Sequence, residues 1–336
     1  GCPHRCVFCN QAAVTGHGGA LPEPGNWTAH AGEFLRFRGR RQGTSQIAFF
    51  GGNFLGLPDE RIRAMLIAAS EYVHKALVDG IRFSTRPDTV NRKTLRLIAA
   101  LPVQTVELGA QSMDAEVLML SRRGHTAADT VAAVELLRAA GYAVGLQVMV
   151  GLPGDDAARL METGRRIADL KPDFVRIYPT LVLAGSILET WYRAGRYRPL
   201  EVEEAVEQTM PLYRLFRQRG IAVIRTGLQP TVELSRGGSV AAGPFHPAFG
   251  HLVQSACFLD AVRNALCRKS ISGRTLEICV HPRSLSRMRG LKNANCEAIK
   301  REFGFSNVKV SSHPDLREDA IGLPDGSAVA VYAINS

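Results

Sequence analysis

The sequence lacks long apolar runs, a second CxxC motif and any recognisable internal repeat, low-complexity tract or signal peptide. Its hydrophobic segments are short and interrupted, whereas a membrane-spanning helix needs about 20 consecutive apolar residues, so we expect no transmembrane segment. A structural zinc site commonly takes four ligands from two matching CxxC elements. With only one such element, the chain does not fit that common pattern.

Acidic residues are also in short supply. The chain has 31 Asp and Glu residues and 41 Lys and Arg residues, which gives a formal net charge of +10 and a pI near 9.5. This surplus favours association with a polyanion such as RNA, although solvated helix ends explain single basic runs such as Arg36 to Arg41 equally well. At 336 residues and 46% hydrophobic content, the chain is long enough for a large core and one small additional domain.

Three of the seven cysteines stand within the first nine residues, where Cys2, Cys6 and Cys9 form the pattern C-x3-C-x2-C. Three thiolates on a short loop can hold three corners of a 4Fe-4S cluster and leave the fourth iron open. A zinc ion with His4 as its fourth ligand is the weaker alternative. A disulfide scaffold is weaker still, because the other cysteines are scattered at unrelated spacings: Cys257, Cys267, Cys279 and Cys296.

The C-x3-C-x2-C motif is the signature of radical S-adenosylmethionine (SAM) enzymes, and the order of the later motifs resembles that superfamily. The resemblance implies that Cys2, Cys6 and Cys9 hold a 4Fe-4S cluster, where reductive cleavage of SAM supplies a 5'-deoxyadenosyl radical. It also implies an external electron donor such as flavodoxin or ferredoxin. An oxygen-labile cluster and free thiols together indicate a reducing cytoplasm.

The apolar run that ends at Phe50 continues into Gly51, Gly52 and Asn53. Glycines allow a ligand to approach the backbone closely, and a tight turn explains them equally well. The run resembles the superfamily element that receives the SAM amino group. Asn53 stands where that element has an acidic residue, so the contact would rest on main-chain carbonyls and an amide.

Short β-branched segments alternate with helical patterns from Gln46 to about residue 228. This rhythm predicts a parallel sheet with crossover helices. The fold class is therefore α/β, and the resemblance specifies a partial (β/α)6 radical SAM barrel with a small C-terminal α/β domain. We expect the barrel over residues 1–235, a connecting loop and helix over 236–273, and the small domain over 274–336; the usual first barrel strand is expected before Gly1.

Polar residues at the carboxyl ends of the predicted strands are candidates for the open mouth of the barrel, because α/β barrels bind ligands there. Some of them would only cap strands or face water. Tyr178 and Gln111 are the candidate catalytic residues. The candidates for SAM binding at the strand ends are Ser84, Thr85, Arg86, Glu107, Gln111 and Gln147.

The chain resembles one branch in particular, the radical SAM core of the catalytic subunit of Elongator and its bacterial and archaeal relatives. The matching stretches are Ser84 to Asp88, Glu107 to Thr126, Gly145 to Asp155 and Arg176 to Leu200. Carried over by position, the resemblance places Gln111, Arg123 and Gln147 near the SAM ribose and carboxylate, and Gly51 and Gly52 at its amino group. Nothing after residue 240 resembles the acetyltransferase domain of that subunit, so we expect that this chain alone does not perform a complete reaction that depends on acetyl-CoA.

The C-terminal segment predicts a strand, a helix, a short basic loop led by glycine, a second helix and a strand. This order is similar to the minimal KH module, in which a GxxG loop clamps a nucleic-acid backbone. The loop would run from Gly290 to Asn293, with Asn293 in place of the second glycine, since Asn tolerates a left-handed backbone. The candidate RNA contacts are Arg283, Arg287, Arg289, Gly290 and Lys292. A small domain that packs on the barrel with solvated basic residues is an equal alternative.

Three functional hypotheses follow. The first is a radical SAM enzyme that acts on RNA, with tRNA as the expected partner. The second keeps the radical chemistry but assigns a small-molecule or tetrapyrrole-like substrate. The third is a non-catalytic RNA-binding protein with a structural metal clip.

Overall fold

The computed structural model describes residues 2, 5–10, 31–36, 43–229, 239–269 and 273–332. Its central feature is a sheet of six parallel strands in the order β1-β2-β3-β4-β5-β7. The strands are β1 (Gln46–Phe49), β2 (Gly80–Thr85), β3 (Val103–Gln111), β4 (Ala143–Val150), β5 (Phe174–Pro179) and β7 (Ala222–Thr226). The prediction of a partial (β/α)6 barrel is confirmed.

Helices connect successive strands, as parallel pairing requires. They are α1 (Asp59–His74), α2 (Arg92–Ile98), α3 (Ala115–Leu120), α4 (Ala127–Ala139), α5 (Ala157–Asp169), α6 (Ile187–Arg193), α7 (Val202–Gln218), α8 (Phe249–Arg268), α9 (Leu285–Arg289) and α10 (Ala294–Phe303). Their starts follow from local chemistry. The Asn91 side chain caps α2, and Thr126 and Asp129 form a capping box at α4.

The large sheet is strongly curved. Phe50, just after β1, lies with its ring centroid 5.1 Å from the Arg176 guanidinium carbon on β5. In the sheet order β1 and β5 are four strand spacings apart, and in a flat sheet with strands about 4.8 Å apart they would be separated by roughly 19 Å. The sheet therefore curls into a half-barrel, and side chains from distant strands meet on its inner face.

The C-terminal sheet has the order β10-β9-β11-β12. Its strands are β9 (Thr275–Val280), β10 (Asn307–Ser312), β11 (Ala320–Gly322) and β12 (Ala328–Ala330), and β9 pairs in parallel with β10 across the crossover formed by α9 and α10. The predicted strand–helix–loop–helix–strand order is confirmed. The last two strands, β11 and β12, pair antiparallel around Gly326.

Helix α8 joins the two sheets. It contacts α7 of the barrel on one side and α9 and α10 on the other. The Asn295 side chain donates to the Ser255 carbonyl on α8 at 2.9 Å, and Arg263 on α8 pairs with Glu302 on α10 at 2.6 Å. The C-terminal domain thus packs directly on the barrel, and buried residues of both form one continuous hydrophobic core.

A two-stranded sheet that the sequence does not predict lies beside the barrel. Its strands are β6 (Val182–Leu183) and β8 (Val240–Ala242), which pair antiparallel. Within the described ranges, no helix is both long and apolar enough to cross a bilayer. The predicted division of the chain at residues 235 and 273 remains a prediction, and residues 230–238 and 270–272 at those points lie outside the described part.

Candidate functional site at the mouth of the half-barrel

The N-terminal cysteine turn is attached to the barrel through Val7. Its N–H donates to the Ser121 carbonyl at the end of α3 at 3.1 Å, and its carbonyl accepts from the Leu188 N–H on α6 at 2.8 Å. The Val7 side chain is fully buried. Within the turn, the Cys9 N–H donates to the Cys6 carbonyl at 3.1 Å. The neighbouring cysteines are thereby held at the barrel edge rather than on a free terminus.

Two arginines converge on the Cys6 sulfur. The Arg123 Nη1 lies 3.2 Å from Cys6 Sγ, and the Arg86 Nη1 lies 3.9 Å from it. Arg86 is itself fixed by two hydrogen bonds to the Asp88 carboxylate, at 2.9 and 3.1 Å, and by a bond to the Arg123 carbonyl. Two positive charges therefore lie beside this sulfur, within the turn that carries the cysteine motif.

The other two cysteines of the motif differ in exposure, Cys2 being exposed and Cys9 half-buried. Although Cys2 is exposed, protein atoms on one side partly desolvate its thiol, which raises its pKa; Cys6 adds to the rise, and Arg86 and Arg123 oppose it. Cys2 is therefore close enough to Cys6 and both arginines to feel their charges. Among the described residues, no three His, Cys, Asp or Glu side chains are already gathered as a metal site. His4, the ligand of the zinc alternative, lies outside the described residues.

The Gly51-Gly52 turn needs glycine at both positions, because φ is 102° at Gly51 and 154° at Gly52. The next residue, Asn53, is buried, and its Oδ1 accepts hydrogen bonds from Thr85 Oγ1 at 2.7 Å, Thr89 Oγ1 at 3.0 Å and the Arg86 N–H at 3.1 Å. We call these four residues the Asn53 network. It connects the glycine turn to the segment that carries Arg86. All three hydrogen bonds that the Asn53 Oδ1 accepts come from within the protein.

Gln111 and Gln147, two candidates for SAM binding, contact each other. The Gln147 Nε2 donates to Gln111 Oε1 at 3.1 Å, and Gln111 has a left-handed backbone with φ of 68°. Arg123 donates to the Gly109 carbonyl. A Cβ at Gly109 would lie 3.0 Å from the Gln111 amide and 3.3 Å from the Arg123 guanidinium. Glycine at this position therefore lets three of the site's polar groups approach one another.

Glu107 is buried on the inner face of β3, and its carboxylate is engaged by two arginines. Arg176 Nε lies 2.6 Å from Glu107 Oε2, and Arg82 pairs with Glu107 Oε1. The Arg176 Nη1 donates to the Tyr178 hydroxyl at 3.2 Å. The candidate catalytic Tyr178 thus contacts this ion-pair group, and it packs against the same buried cluster as Phe8 of the cysteine turn. Of the remaining strand-end candidates, Thr85 is buried in the Asn53 network and Ser84 is half-buried.

The predicted RNA-contact residues lie around the loop between α9 and α10. Gly290 has φ of 74°, and Asn293 is left-handed with φ of 64°, as expected for the residue in place of the second glycine. Arg283 and Arg287 both pair with Glu318, at 3.0 and 3.9 Å. Arg289 donates to the Val310 carbonyl at 3.2 Å.

Lys292 completes this set at the tip of the loop. It is exposed and forms no ion pair with any residue that the structure describes.

His125 is a residue of the site that the sequence reasoning did not select. Burial, followed by the nearby charges of Arg123 and Arg86, lowers its pKa to about 4. The imidazole is consequently neutral at physiological pH. In the sequence, its position two residues after Arg123, a candidate SAM-binding residue, could have identified it.

A cavity of about 320 Å³ lies beside the end of β4, between the loop Gly151–Asp155 and the loop after α6. Desolvation raises the pKa of the Asp155 carboxyl there to about 7. The Tyr197 hydroxyl donates to the Gly151 carbonyl at 2.6 Å and closes one side. Neither residue was selected from the sequence, because their burial depends on two loops that approach each other only in the folded chain.

Two protein-family models match the part of the chain that forms this site. The model of the radical SAM superfamily matches residues 1–167, and the model of the radical SAM C-terminal domain matches residues 172–257. Together they extend over most of the barrel and its cysteine turn. The chain belongs to the radical SAM superfamily. Radical SAM proteins are enzymes, and membership implies a 4Fe-4S cluster and SAM as cofactors.

Individual relatives agree with the predicted branch. The tRNA uridine(34) acetyltransferase of Methanocaldococcus jannaschii is 39% identical over 126 residues, which are 37% of this chain and 23% of that protein. Elongator complex protein 3 of Mus musculus is 27% identical over 232 residues, 60% of this chain and 42% of that protein. The match spans less than half of either relative.

A solved structure shows the same fold. The archaeal Methanocaldococcus infernus Elp3 with an N-terminal deletion superimposes with a TM-score of 0.58 and 24% identity, over 75% of this chain and 60% of that one. At this level of identity, the likeness supports the fold of the radical SAM barrel and its C-terminal domain.

The residues at the barrel edge fit the cofactors that membership implies. Cys6 and Cys9 lie on one turn and Cys2 lies within electrostatic reach of Cys6, so the chain offers three thiols of the kind that hold an iron–sulfur cluster, although they do not yet converge on one point in the described structure. The exposed Gly51-Gly52 turn leaves the backbone accessible, as close approach of a ligand requires.

Proposed function

We propose that this protein is a radical SAM enzyme that modifies RNA, with a tRNA base as its substrate. The observation that carries the proposal is that the cysteine turn and a basic C-terminal module both pack on the same barrel. A cysteine turn backed by Arg86 and Arg123 lies at the barrel edge, and a βααβ module with an exposed basic loop packs on the same barrel through α8. The name of the Methanocaldococcus jannaschii relative, which refers to tRNA uridine, supports the same substrate.

In this proposal, Cys2, Cys6 and Cys9 hold the cluster, which when bound to SAM supplies a radical able to abstract hydrogen from a C–H bond. Arg123 and Arg86 contact the Cys6 sulfur and place positive charge next to the cluster ligands. The main chain at Gly51 and Gly52 receives the SAM amino group, and Gln111 and Gln147 orient its polar groups. An external electron donor and a reducing cytoplasm are parts of the same proposal.

Lys292 is proposed to contact an RNA phosphate at the loop. Arg283 and Arg287 share Glu318, so their charge is partly neutralised, whereas Lys292 has no such partner among the described residues. The KH-like geometry supports backbone clamping at this loop.

The test of catalysis is anaerobic reconstitution of the protein with iron and sulfide, followed by dithionite and SAM. We expect 5'-deoxyadenosine to form with the native protein and with Cys267→Ser, a matched exposed thiol on α8, but not with Cys6→Ser. Absence of SAM cleavage in fully reconstituted native protein would refute the radical function.

The test of the substrate is mass spectrometry of tRNA nucleosides from cells with and without the gene. In binding assays, Lys292→Ala should weaken tRNA binding and reduce the salt dependence of the affinity by about one phosphate contact. Lys75→Ala, at an exposed lysine immediately after α1, is the control. SAM cleavage without any tRNA binding or any change in tRNA nucleosides would favour a small-molecule or tetrapyrrole-like substrate.

A further inference from the structure

An exposed aromatic ring lies on the inner face of the half-barrel, immediately before the Gly51-Gly52 turn. Phe50 is 51% exposed. Its neighbour Phe49 packs in the opposite direction, with its ring stacked 5.2 Å from Phe54 in the core. Since consecutive residues of an extended strand face opposite sides, Phe50 projects to the inner side, where the sheet curls around the mouth.

Two guanidinium groups hold the Phe50 ring. The Arg176 Cζ lies 5.1 Å from the ring centroid and the Arg82 Cζ lies 5.9 Å from it. Arg82 also lies 5.1 Å from the centroid of Phe174 on β5. Cations at these distances are attracted to the ring face, so the phenyl group is held from strands on both sides of the curved sheet.

The two guanidinium groups are themselves fixed by Glu107. Its side chain is only 5% exposed, and those of Arg82 and Arg176 are 19% and 17% exposed. Breaking such a largely buried pair is costly, so this ion-pair group is rigid. The ring is therefore pre-organised, and a ligand that contacts it orders little additional structure.

A half-exposed ring among cations suits a ligand that has both a flat ring and a negative charge. A third arginine, Arg225 on β7, stands opposite Arg176 in the strand register. Three arginines against the single carboxylate of Glu107 leave a positive surplus. Nucleotides have this combination, and unpaired bases in RNA commonly stack on aromatic side chains. One phenyl ring matches the size of a single pyrimidine base.

We propose that Phe50 is a stacking platform for one unpaired pyrimidine base of the RNA substrate, and that Arg82, Glu107 and Arg176 hold it in position. This inference rests on the proposed action on RNA and assigns the place where the base enters. The ring adjoins Gly51, so the stacked base would lie beside the turn assigned to the cofactor. Phe50 and its supports are positioning residues, and none of them needs to exchange a proton.

The test uses the reconstituted protein and a short RNA hairpin that carries the fluorescent pyrimidine pyrrolo-cytosine at one loop position at a time. Stacking on a protein ring quenches this base, and fluorescence anisotropy of a dye at the RNA end reports total binding separately. With the native protein, we expect quenching at one loop position. Phe50→Leu should abolish the quenching and weaken binding about tenfold, while Phe50→Tyr and Phe50→Trp should retain both.

Ile67→Ala is the matched control, because Ile67 is an exposed apolar residue on α1 with 55% exposure. It should leave the quenching and the affinity unchanged. Thermal melting of each variant checks that it is folded, and the Tyr and Trp variants keep the test valid if Leu disturbs the site.

Binding by anisotropy without quenching at any loop position would overturn the stacking platform and leave the RNA function standing. Quenching that survives Phe50→Leu would overturn it equally. Absence of any anisotropy change would refute RNA as the substrate, and the platform with it, whereas SAM cleavage is measured independently.

Discussion

Replacement of Asn53 by alanine tests the network that connects the glycine turn to the arginines at Cys6. The substitution removes the acceptor of three hydrogen bonds, from Thr85, Thr89 and the main-chain N–H of Arg86. The two hydroxyls keep other partners, since Thr85 and Thr89 lie 2.9 Å apart and Thr89 also donates to the Arg86 carbonyl at 2.8 Å. The Arg86 N–H is buried and is left without an acceptor.

The size of the effect follows from that one orphaned group. An unsatisfied buried donor costs about 1–3 kcal/mol, and loss of the Asn53 Nδ2, itself without a partner among the described residues, offsets part of this. We expect about 2 kcal/mol of destabilisation. With an unfolding entropy of about 2.1 cal/mol/K per residue, this corresponds to a fall of about 3 °C in the melting temperature for a chain of 336 residues.

The assay is thermal unfolding followed by circular dichroism under anaerobic conditions, with Asn307→Ala as the control. Asn307 is an exposed residue of β10, so its loss should change the melting temperature by less than about 1 °C. Asn53→Asp keeps an acceptor oxygen and should melt above Asn53→Ala. If Asn53→Ala melts within 1 °C of the control, the network does not hold the turn as the hydrogen bonds indicate.

Three further substitutions probe other parts of the barrel. Gly145→Ala should destabilise the protein by about 1–3 kcal/mol, because the new Cβ would overlap the Phe174 ring. Phe174→Leu should restore stability in the double variant. A melting curve unchanged by Gly145→Ala would contradict this packing. Glu107→Gln should lower the free energy of unfolding by about 3 kcal/mol in chemical denaturation, since it leaves two partly buried arginines without a carboxylate. A decrease below about 1 kcal/mol would show that water solvates the two arginines. The pKa of Asp155 is raised to about 7 by burial, so the folded state binds a proton that the unfolded state releases, and stability should fall as pH rises from about 4 to 7 and then level off. Asp155→Asn should flatten that part of the stability profile, whereas Glu135→Gln, at an exposed carboxylate, should not.

The sequence was sufficient to predict features that depend on local pattern. Alternating apolar segments marked all six strands of the half-barrel, and the glycines at 51 and 52 marked a turn with positive φ. The substitution of Asn293 for a glycine predicted a left-handed residue, which the structure contains. Each of these follows from the backbone preferences of a few adjacent residues.

The features that could not be predicted depend on curvature and packing. Glu107 was assigned to the cofactor site from its place on a strand, but its carboxylate pairs with arginines of two other strands, Arg82 on the adjacent β2 and Arg176 on β5, two strands away. The antiparallel pair β6–β8 joins segments more than 50 residues apart and has too few residues to show a pattern. The elevated pKa of Asp155 likewise arises from loops that approach it only in the folded chain.

Helix α8 has a consequence for how a long substrate would be measured. This one helix contacts both the barrel and the elements that flank the Gly290–Asn293 loop, so packing joins the support of the loop to the barrel. An RNA gripped at the loop would reach the mouth after a set length of chain, and the nucleotide presented there would be selected by counting from the grip as well as by its chemical identity. The packing of this single helix would then set the distance along the RNA between its two points of contact with the protein.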